Sequence, residues 1–200
     1  NGRGSGCGGG GHGGATIAQS AAGFEHAVPC GMSGSQSTVP VFRPHNAPYT
    51  LFIAPGLVEG QATLWWEDLE AIIAAREGIV MHSPSGKVEF DLSSPSRKRA
   101  AYGELLDFFT TKVDEPTQRR MVAELAWQAG VDIKAHLGES IMDWREIAQL
   151  ATDPLCSIGA HTIHHYAVAR LDPAQARAEM TERARIVQME TGKAPRRFAY

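Results

Sequence analysis

A chain of 200 residues with 43% hydrophobic and 20% charged side chains is long enough for one globular domain with a substantial core. The net charge of -3 gives no electrostatic reason to expect nucleic acid or an anionic membrane as a partner. No apolar run is long enough to span a bilayer. The three cysteines lack Cys-x-x-Cys spacing, which argues against a disulfide framework or a thiolate zinc site. The N-terminus lacks the basic-then-apolar order of a signal peptide, so a cytoplasmic location is expected.

The first part of the chain is rich in glycine. Nine of the first fourteen residues are glycine, and residues 1–38 show no sustained hydrophobic period. Such a segment buries too little apolar surface to offset the entropy lost on ordering. We therefore expect residues 1–38 to be disordered or foreign to the fold, and residues 39–200 to form the domain.

Strands and helices alternate in the rest of the chain. The predicted elements, in chain order, are a buried strand at 49–54, an amphipathic helix at 64–76, a hairpin at 79–92 and two helices at about 97–110 and 116–129. The spacing of the last two helices indicates a helical insertion. Trp65 and Trp66 fall in the amphipathic helix, where a core position is favoured over sugar stacking for at least one of them.

Capping signals mark the elements that follow. Asp143 and Glu146 have the spacing of a capping box, and a short strand is expected at 155–158. Asp172 followed by Pro173 predicts the start of a helix that runs to about residue 190, and a new strand begins in the last five residues. The alternation predicts an α/β fold with a largely parallel sheet or barrel.

Three of the eight histidines lie within five residues, in "IGAHTIHHY". If a helix follows the strand, His161 and His165 lie on one face and converge on one cation. Imidazole suits zinc and neighbouring transition metals. Thr162 is placed to hydrogen-bond the turn or a ligand ring, and His164 points elsewhere. The cluster follows a strand, where parallel α/β folds collect catalytic groups.

Four segments in the right order resemble the polysaccharide deacetylases, known as carbohydrate esterase family 4 with a NodB-like homology domain. "SIGAHTIHHYAVARLDPAQARAEM" resembles the second motif of that family, and "MDWREIAQLATDP" resembles the helix before it. "TGKAPRRFAY" resembles the approach to the third motif, and "VPVFRPHNAPYTLFIAPGLVEG" resembles the segment after the first. The resemblance covers residues 39–200.

The resemblance implies a distorted (β/α) barrel, here partial and with a helical insertion. It implies a hydrolase of carbohydrate metabolism that removes acetyl groups from N-acetylated or O-acetylated sugars and polysaccharides, acting on C–N bonds of amides in the first case. It also implies a divalent metal, usually zinc, held by His161, His165 and an aspartate. The metal polarises the acetyl carbonyl and activates a water, and a second aspartate is the general base. Tyr200 matches a position that lines the substrate groove.

Part of the family pattern is missing from the sequence. The first motif, commonly Thr-Phe-Asp-Asp-Gly, is expected near residues 24–30, yet no aspartate precedes Asp68 and Glu25 is the only acidic residue up to position 58. A substitute pair of Glu25 and His26 has no local support. The Pro-x-Gly of the third motif and the histidine acid are also absent. We therefore expect an incomplete member, truncated at its C-terminus, with no catalytic carboxylate visible.

Three functions compete at this point. The first is a metal-dependent carbohydrate deacetylase, and the second is a catalytically inactive carbohydrate-binding relative that has lost the aspartates of the first motif. The third is an unrelated metal hydrolase in which His161 and His165 pair with a carboxylate such as Asp143 or Asp153. Loss of the aspartates favours the second function, whereas an error of reading frame in residues 1–38 favours the first.

Overall fold

The computed structural model describes residues 18–20, 23–29, 42–83 and 86–199. The strands are β1 Ala18–Ser20, β2 Gly23–Pro29, β3 Tyr49–Ile53, β4 Gly78–Ser83, β5 Gly86–Asp91, β6 Cys156–His161 and β7 Arg197–Ala199. The helices are α1 Pro55–Val58, α2 Trp65–Ala75, α3 Pro95–Thr111, α4 Glu115–Ala129, α5 Ile133–Ser140, α6 Trp144–Ala151 and α7 Pro173–Thr191. Short 3-10 turns occur at Arg43–His45 and Val168–Arg170.

A five-stranded sheet in the order β1-β2-β3-β6-β7 forms the centre of the fold. β1 is antiparallel to β2, and the remaining neighbours are parallel. Every residue of β3 is buried, as expected for the middle of a parallel sheet that is covered on both faces. The carboxyl ends of β3, β6 and β7 therefore meet at one edge, where the residues that follow each strand come together.

The α/β prediction is confirmed, but a barrel is not. Among the described strands the five-stranded sheet is open, with β1 and β7 at its edges, and β4 and β5 form a separate two-stranded sheet. Closure would require hydrogen bonds between the two edge strands. The described part of the chain is therefore an open, mostly parallel sheet.

The elements from α2 to α4, which lie between β3 and β6 in the chain, form a second packing unit that we call the inserted unit. The hairpin β4–β5 and the helices α3 and α4 pack with α2 around their own apolar cluster, which includes Leu69, Phe109 and Leu125. A different cluster, which includes Leu51 and Ile158, lies under the central sheet. The predicted hairpin and pair of helices are confirmed, and they are inserted between two strands that are neighbours in the sheet.

Helix starts follow the capping signals. Asp143 accepts a hydrogen bond from the Glu146 amide at 2.8 Å, and the Asp143 amide donates to the Glu146 carboxylate at 3.0 Å. Asp172 accepts from the amides of Ala174 and Gln175. Both predicted caps are confirmed. α5 was not predicted from the sequence, although Asp132 caps it through the Lys134 and Ala135 amides.

Two strands lie in the part of the chain that was expected to be disordered. β2 pairs in parallel with β3, in the register His26 with Tyr49 through Pro29 with Phe52. At β1 and β2 the structure therefore has sheet where the composition predicted disorder. The rest of segment 1–38 lies outside the described residues, as do the side chains of Glu25 and His26.

Candidate metal centre

His161 is the last residue of β6, and a backbone carbonyl orients its ring. The Nδ1 atom lies 2.7 Å from the carbonyl oxygen of Ala199 in β7. Because a carbonyl only accepts, Nδ1 carries the proton and Nε2 keeps its lone pair. A hydrogen bond of this kind from the non-ligating nitrogen is the usual support of a metal-binding histidine. Burial lowers the pKa of His161, so the ring is neutral near pH 7.

His165 faces His161 from a loop rather than from a helix. The chain leaves β6 after His161 and runs irregularly through residues 162–167, which we call the histidine loop. The expected helix with both rings on one face is therefore wrong. His165 has a φ of 59°, in the left-handed region, and its ring centroid lies 4.3 Å from that of His161 at an interplanar angle of 80°. Burial, with the neighbouring His161, lowers the pKa of His165 to about 4.

Glu179 of α7 replaces the hydrogen bonds that a helix would have supplied. One carboxylate oxygen accepts from the amides of Ile163 at 2.7 Å and His164 at 2.9 Å. The other lies 2.6 Å from Nδ1 of His164. These bonds turn the loop and draw His164 toward Glu179, whereas His161 and His165 face each other.

Two further residues contact the histidine loop from the other side. The amide of Gly56, directly after β3, donates to the Ile163 carbonyl at 2.8 Å. Arg119 of α4 donates to the carbonyls of His164 at 3.4 Å and His165 at 3.3 Å. Burial lowers the pKa of Arg119, and the Glu115 carboxylate acts against this. The loop is thus fixed by α1, α4 and α7 together.

A cleft of about 360 Å³ opens beside the imidazole pair. Its residues are Trp65, Trp66, Thr110, Glu115, Gln118, His161, His165, Tyr166, Ala167 and Arg170. The Trp66 ring centroid lies 5.2 Å from that of His165. Trp65 is 7% exposed and packs edge-on against Phe109, so it is a core residue that also lines the cleft. Apolar rings beside a few polar groups are typical of small-ligand sites.

One wall of the cleft carries an ion pair between a buried carboxylate and a partly exposed guanidinium. Glu115, at the first turn of α4, is 3% exposed and accepts from Arg170 at 3.2 Å and from the Ala167 amide at 3.4 Å. Arg170 also donates to the carbonyl of Val113. These contacts fix the end of the histidine loop to the helical insertion, and the sequence analysis had not singled out either residue.

The other residues predicted for the site make no hydrogen bond to the imidazole pair in the described part of the chain. Thr162 is fully buried, and its hydroxyl has no hydrogen-bond partner in the described part of the chain. Tyr200 lies outside the described residues. Asp143 caps α6, and Asp153 bonds to Arg43 at 2.9 Å before β6 begins. Neither aspartate forms a metal-binding group with His161 and His165 in the described part of the chain, so these two examples of a carboxylate partner are not supported.

The donor set fits part of a metal site. Two neutral imidazoles lie with their ring centroids 4.3 Å apart, and the contact of Nδ1 of His161 with Ala199 leaves Nε2 of that ring as the nitrogen with a lone pair. Within residues 42–83 and 86–199, no group of three His, Cys, Asp or Glu side chains is arranged to hold a metal. The described residues therefore fit two ligands of a cation that accepts nitrogen donors.

No helix of the described residues has the length and apolar character needed to cross a membrane.

The chain was compared with known proteins. Residues 28–200 match the family described as Polysaccharide deacetylase. The curated proteins contain no significant match. One solved structure that is similar is the deacetylase domain of BpsB from Bordetella bronchiseptica, at 11% identity and a TM-score of 0.40. That alignment covers 87% of this chain and 53% of the other, so the chain spans about half the length of that domain.

The family match extends from β2 to the end of the chain and includes the strand and loop that carry His161 and His165. It confirms the resemblance on which the sequence analysis relied. The chain belongs to the polysaccharide deacetylase family.

Proposed function

We propose that this chain is a metal-dependent hydrolase that removes acetyl groups from N-acetylated or O-acetylated carbohydrate. The observation that carries the proposal is the pair of half-buried, neutral imidazoles at the carboxyl end of β6, beside a cleft with an aromatic wall. His161 and His165 would hold the cation, which we take to be zinc because of the nitrogen donors. When bound, zinc supplies Lewis acidity for the acetyl carbonyl.

The residues of the chain have separate roles in this proposal. The Ala199 carbonyl keeps the proton on Nδ1 of His161, so that Nε2 is available as a donor. Trp66 lies beside His165 and offers a flat apolar face for a sugar ring. Trp65 closes the cleft toward the core and excludes water from one side of it. The buried hydroxyl of Thr162 is free to support a bound group.

The proposal is tested by zinc binding and acetate release. The full chain is titrated with zinc, and acetate release is measured on N-acetylated and O-acetylated oligosaccharides. We expect His161→Ala and His165→Ala to abolish tight zinc binding and any acetate release. His82→Ala is the matched control, because His82 is exposed on the hairpin. Unchanged zinc stoichiometry in both site variants would remove the metal from the proposal.

A second function has a specific observation in its favour. No aspartate precedes Asp68, so the two carboxylates of the first motif have no counterpart in the sequence. A relative without them would keep the cleft and bind acetylated sugar without hydrolysing it. Sugar binding and zinc binding without acetate release would establish this alternative. Acetate release that depends on His161 would exclude it.

A further inference from the structure

The histidine loop is held between opposite charges from two helices. Glu179 of α7 receives its N–H groups, and Arg119 of α4 donates to its carbonyls. The two helices belong to different packing units, because α7 packs against the central sheet through β6 and α4 belongs to the inserted unit. The position of His165 therefore depends on residues far from it in sequence.

On the α7 side the contact is buried and specific. Glu179 is 7% exposed, and its carboxylate receives two backbone N–H groups and faces the Nδ1 atom of His164. Hydrogen bonds to an ionised carboxylate are short and strong compared with neutral ones. All three groups lie in two consecutive residues directly before His165. The carboxylate thus fixes the direction of the backbone as it enters His165.

On the α4 side one guanidinium joins three segments. Arg119 donates to the carbonyl of Thr63 before α2, and to the carbonyls of His164 and His165. Its side chain is 17% exposed, the Tyr166 ring centroid lies 5.4 Å away, and an ion pair with Glu115 spans 3.8 Å. A planar guanidinium with several donors can make such contacts at once, whereas a lysine ammonium on its flexible stem cannot reproduce them.

The conformation of His165 shows why such support is needed. A non-glycine residue with a φ of 59° is in a sparsely populated region and keeps it only where its surroundings impose it. The bonds of Glu179 end one residue before His165, and Arg119 bonds to the carbonyl of His165 itself. The two side chains therefore hold both sides of the strained residue.

We propose that Glu179 and Arg119 are positioning residues that set the imidazole of His165 against that of His161. The inference rests on the proposed function, in which this pair holds a cation. It makes the helical insertion a part of the site, because Arg119 belongs to α4. Neither residue touches the substrate in this proposal, and both act through the backbone of the histidine loop.

The test measures zinc affinity in the full chain with graded variants. We expect Glu179→Ala and Arg119→Met to raise the zinc dissociation constant about 10–100-fold. Glu179→Gln keeps an oxygen at the same reach for both amides, so most of the affinity should remain. Glu179→Asp keeps the charge but is one methylene shorter, so the affinity should fall as in the alanine variant. Arg119→Lys should resemble Arg119→Met.

Matched controls and a metal-free measurement complete the design. Glu190→Ala and Arg120→Met change exposed residues of the same two helices and should leave zinc affinity unchanged. Hydrogen exchange of the metal-free protein follows the amides of Ile163 and His164, which should lose protection in Glu179→Ala. Wild-type affinity together with wild-type protection in Glu179→Asp and Arg119→Lys would overturn the inference.

The two proposals fail in different ways. If the wild-type chain binds no zinc, the metal part of the proposed function is wrong, and the exchange of the loop amides alone decides the inference. If the wild-type chain binds zinc and Glu179→Asp rescues affinity better than Glu179→Gln, charge and not position is responsible. That result would contradict the positioning role.

Discussion

The amide of Gly56 donates a 2.8 Å hydrogen bond to the carbonyl of Ile163, and a Cβ added at position 56 would lie 2.7 Å from that same oxygen. At this point α1 and the histidine loop are therefore in contact through their backbones. A side chain at position 56 would also meet the ring of His164, 3.3 Å away. Glycine is required here by close approach and not by its torsion angles.

Gly56→Ala should displace the histidine loop. Crowding a backbone oxygen forces a shift of the loop or of α1, and overpacking of this kind costs about 1–3 kcal/mol. We expect a lower free energy of unfolding in denaturant and weaker zinc binding. Gly103→Ala is the control, because that site on the exposed side of α3 has open space around it and helix propensity favours alanine. Equal changes in the free energy of unfolding of the two variants would show that a side chain at position 56 is not crowded by the histidine loop.

Thr162→Val distinguishes a structural role of the Thr162 hydroxyl, which the melting temperature reports, from support of a bound metal, which zinc affinity reports. The hydroxyl is buried without a hydrogen-bond partner in the described part of the chain, a situation that costs about 1–3 kcal/mol. Valine has nearly the same shape without that cost, so the melting temperature should stay the same or rise. If the hydroxyl supports a bound group, zinc affinity falls up to about tenfold. A lower melting temperature would show that the hydroxyl has a structural partner.

Trp66→Ala should weaken sugar binding and leave zinc binding intact. Loss of a stacking face is worth about 0.5–1.5 kcal/mol, which corresponds to a loss of affinity of up to about tenfold. Calorimetry with an acetylated oligosaccharide measures the effect. Trp127→Ala is the control, since Trp127 is 82% exposed on the same inserted unit and does not line the cleft. Equal losses in both variants would mean that Trp66 makes no specific contact.

Asp153 gives a pH-dependent contribution to stability. The Leu155 amide, followed by Arg43, holds the pKa of this carboxyl below its usual range. A carboxyl whose pKa is lowered in the folded state stabilises the fold at any pH above its pKa in the unfolded state, which is about 3.9 for an aspartate. This stabilisation is lost as the pH falls through the pKa of the folded state. Asp153→Asn should therefore cost about 1–3 kcal/mol at pH 7, the usual size for hydrogen bonds to a charged group.

The difference between wild type and Asp153→Asn should shrink when unfolding is measured at about pH 3. Arg43→Met should cost less, about 0–1 kcal/mol, because the side chain of Arg43 is 63% exposed and the Leu155 bond remains. A difference between wild type and Asp153→Asn that is the same at both pH values would contradict this account.

The sequence predicted the elements whose signals are local. Asp143 and Asp172 mark helix starts through bonds to amides two or three residues away, and the positions of the helices follow from them. The hairpin and the pair of inserted helices were predicted from hydrophobic period in the same way. β2 was missed because its composition resembles a loop, and its pairing with β1 and β3 makes it a strand.

The structure brings the two predicted histidines together, but on a loop and not on a helix. His161 and His165 were identified from their spacing and the family resemblance, and the helix expected between them does not form. The loop is determined by Glu179, 15 residues from His164, and by Arg119, 46 residues from His165. Such contacts leave no local pattern.

β3 and β6 lie side by side, with Tyr49 opposite Cys156, yet the entire inserted unit separates them in the chain. A flexible segment of that length would make their pairing slow, because its closure entropy must be offset before any strand contact forms. The inserted unit has its own apolar core and so can order first, which shortens the effective distance between the strand ends. We therefore expect core mutations in the inserted unit to slow the pairing of β6, the strand that carries His161, with β3.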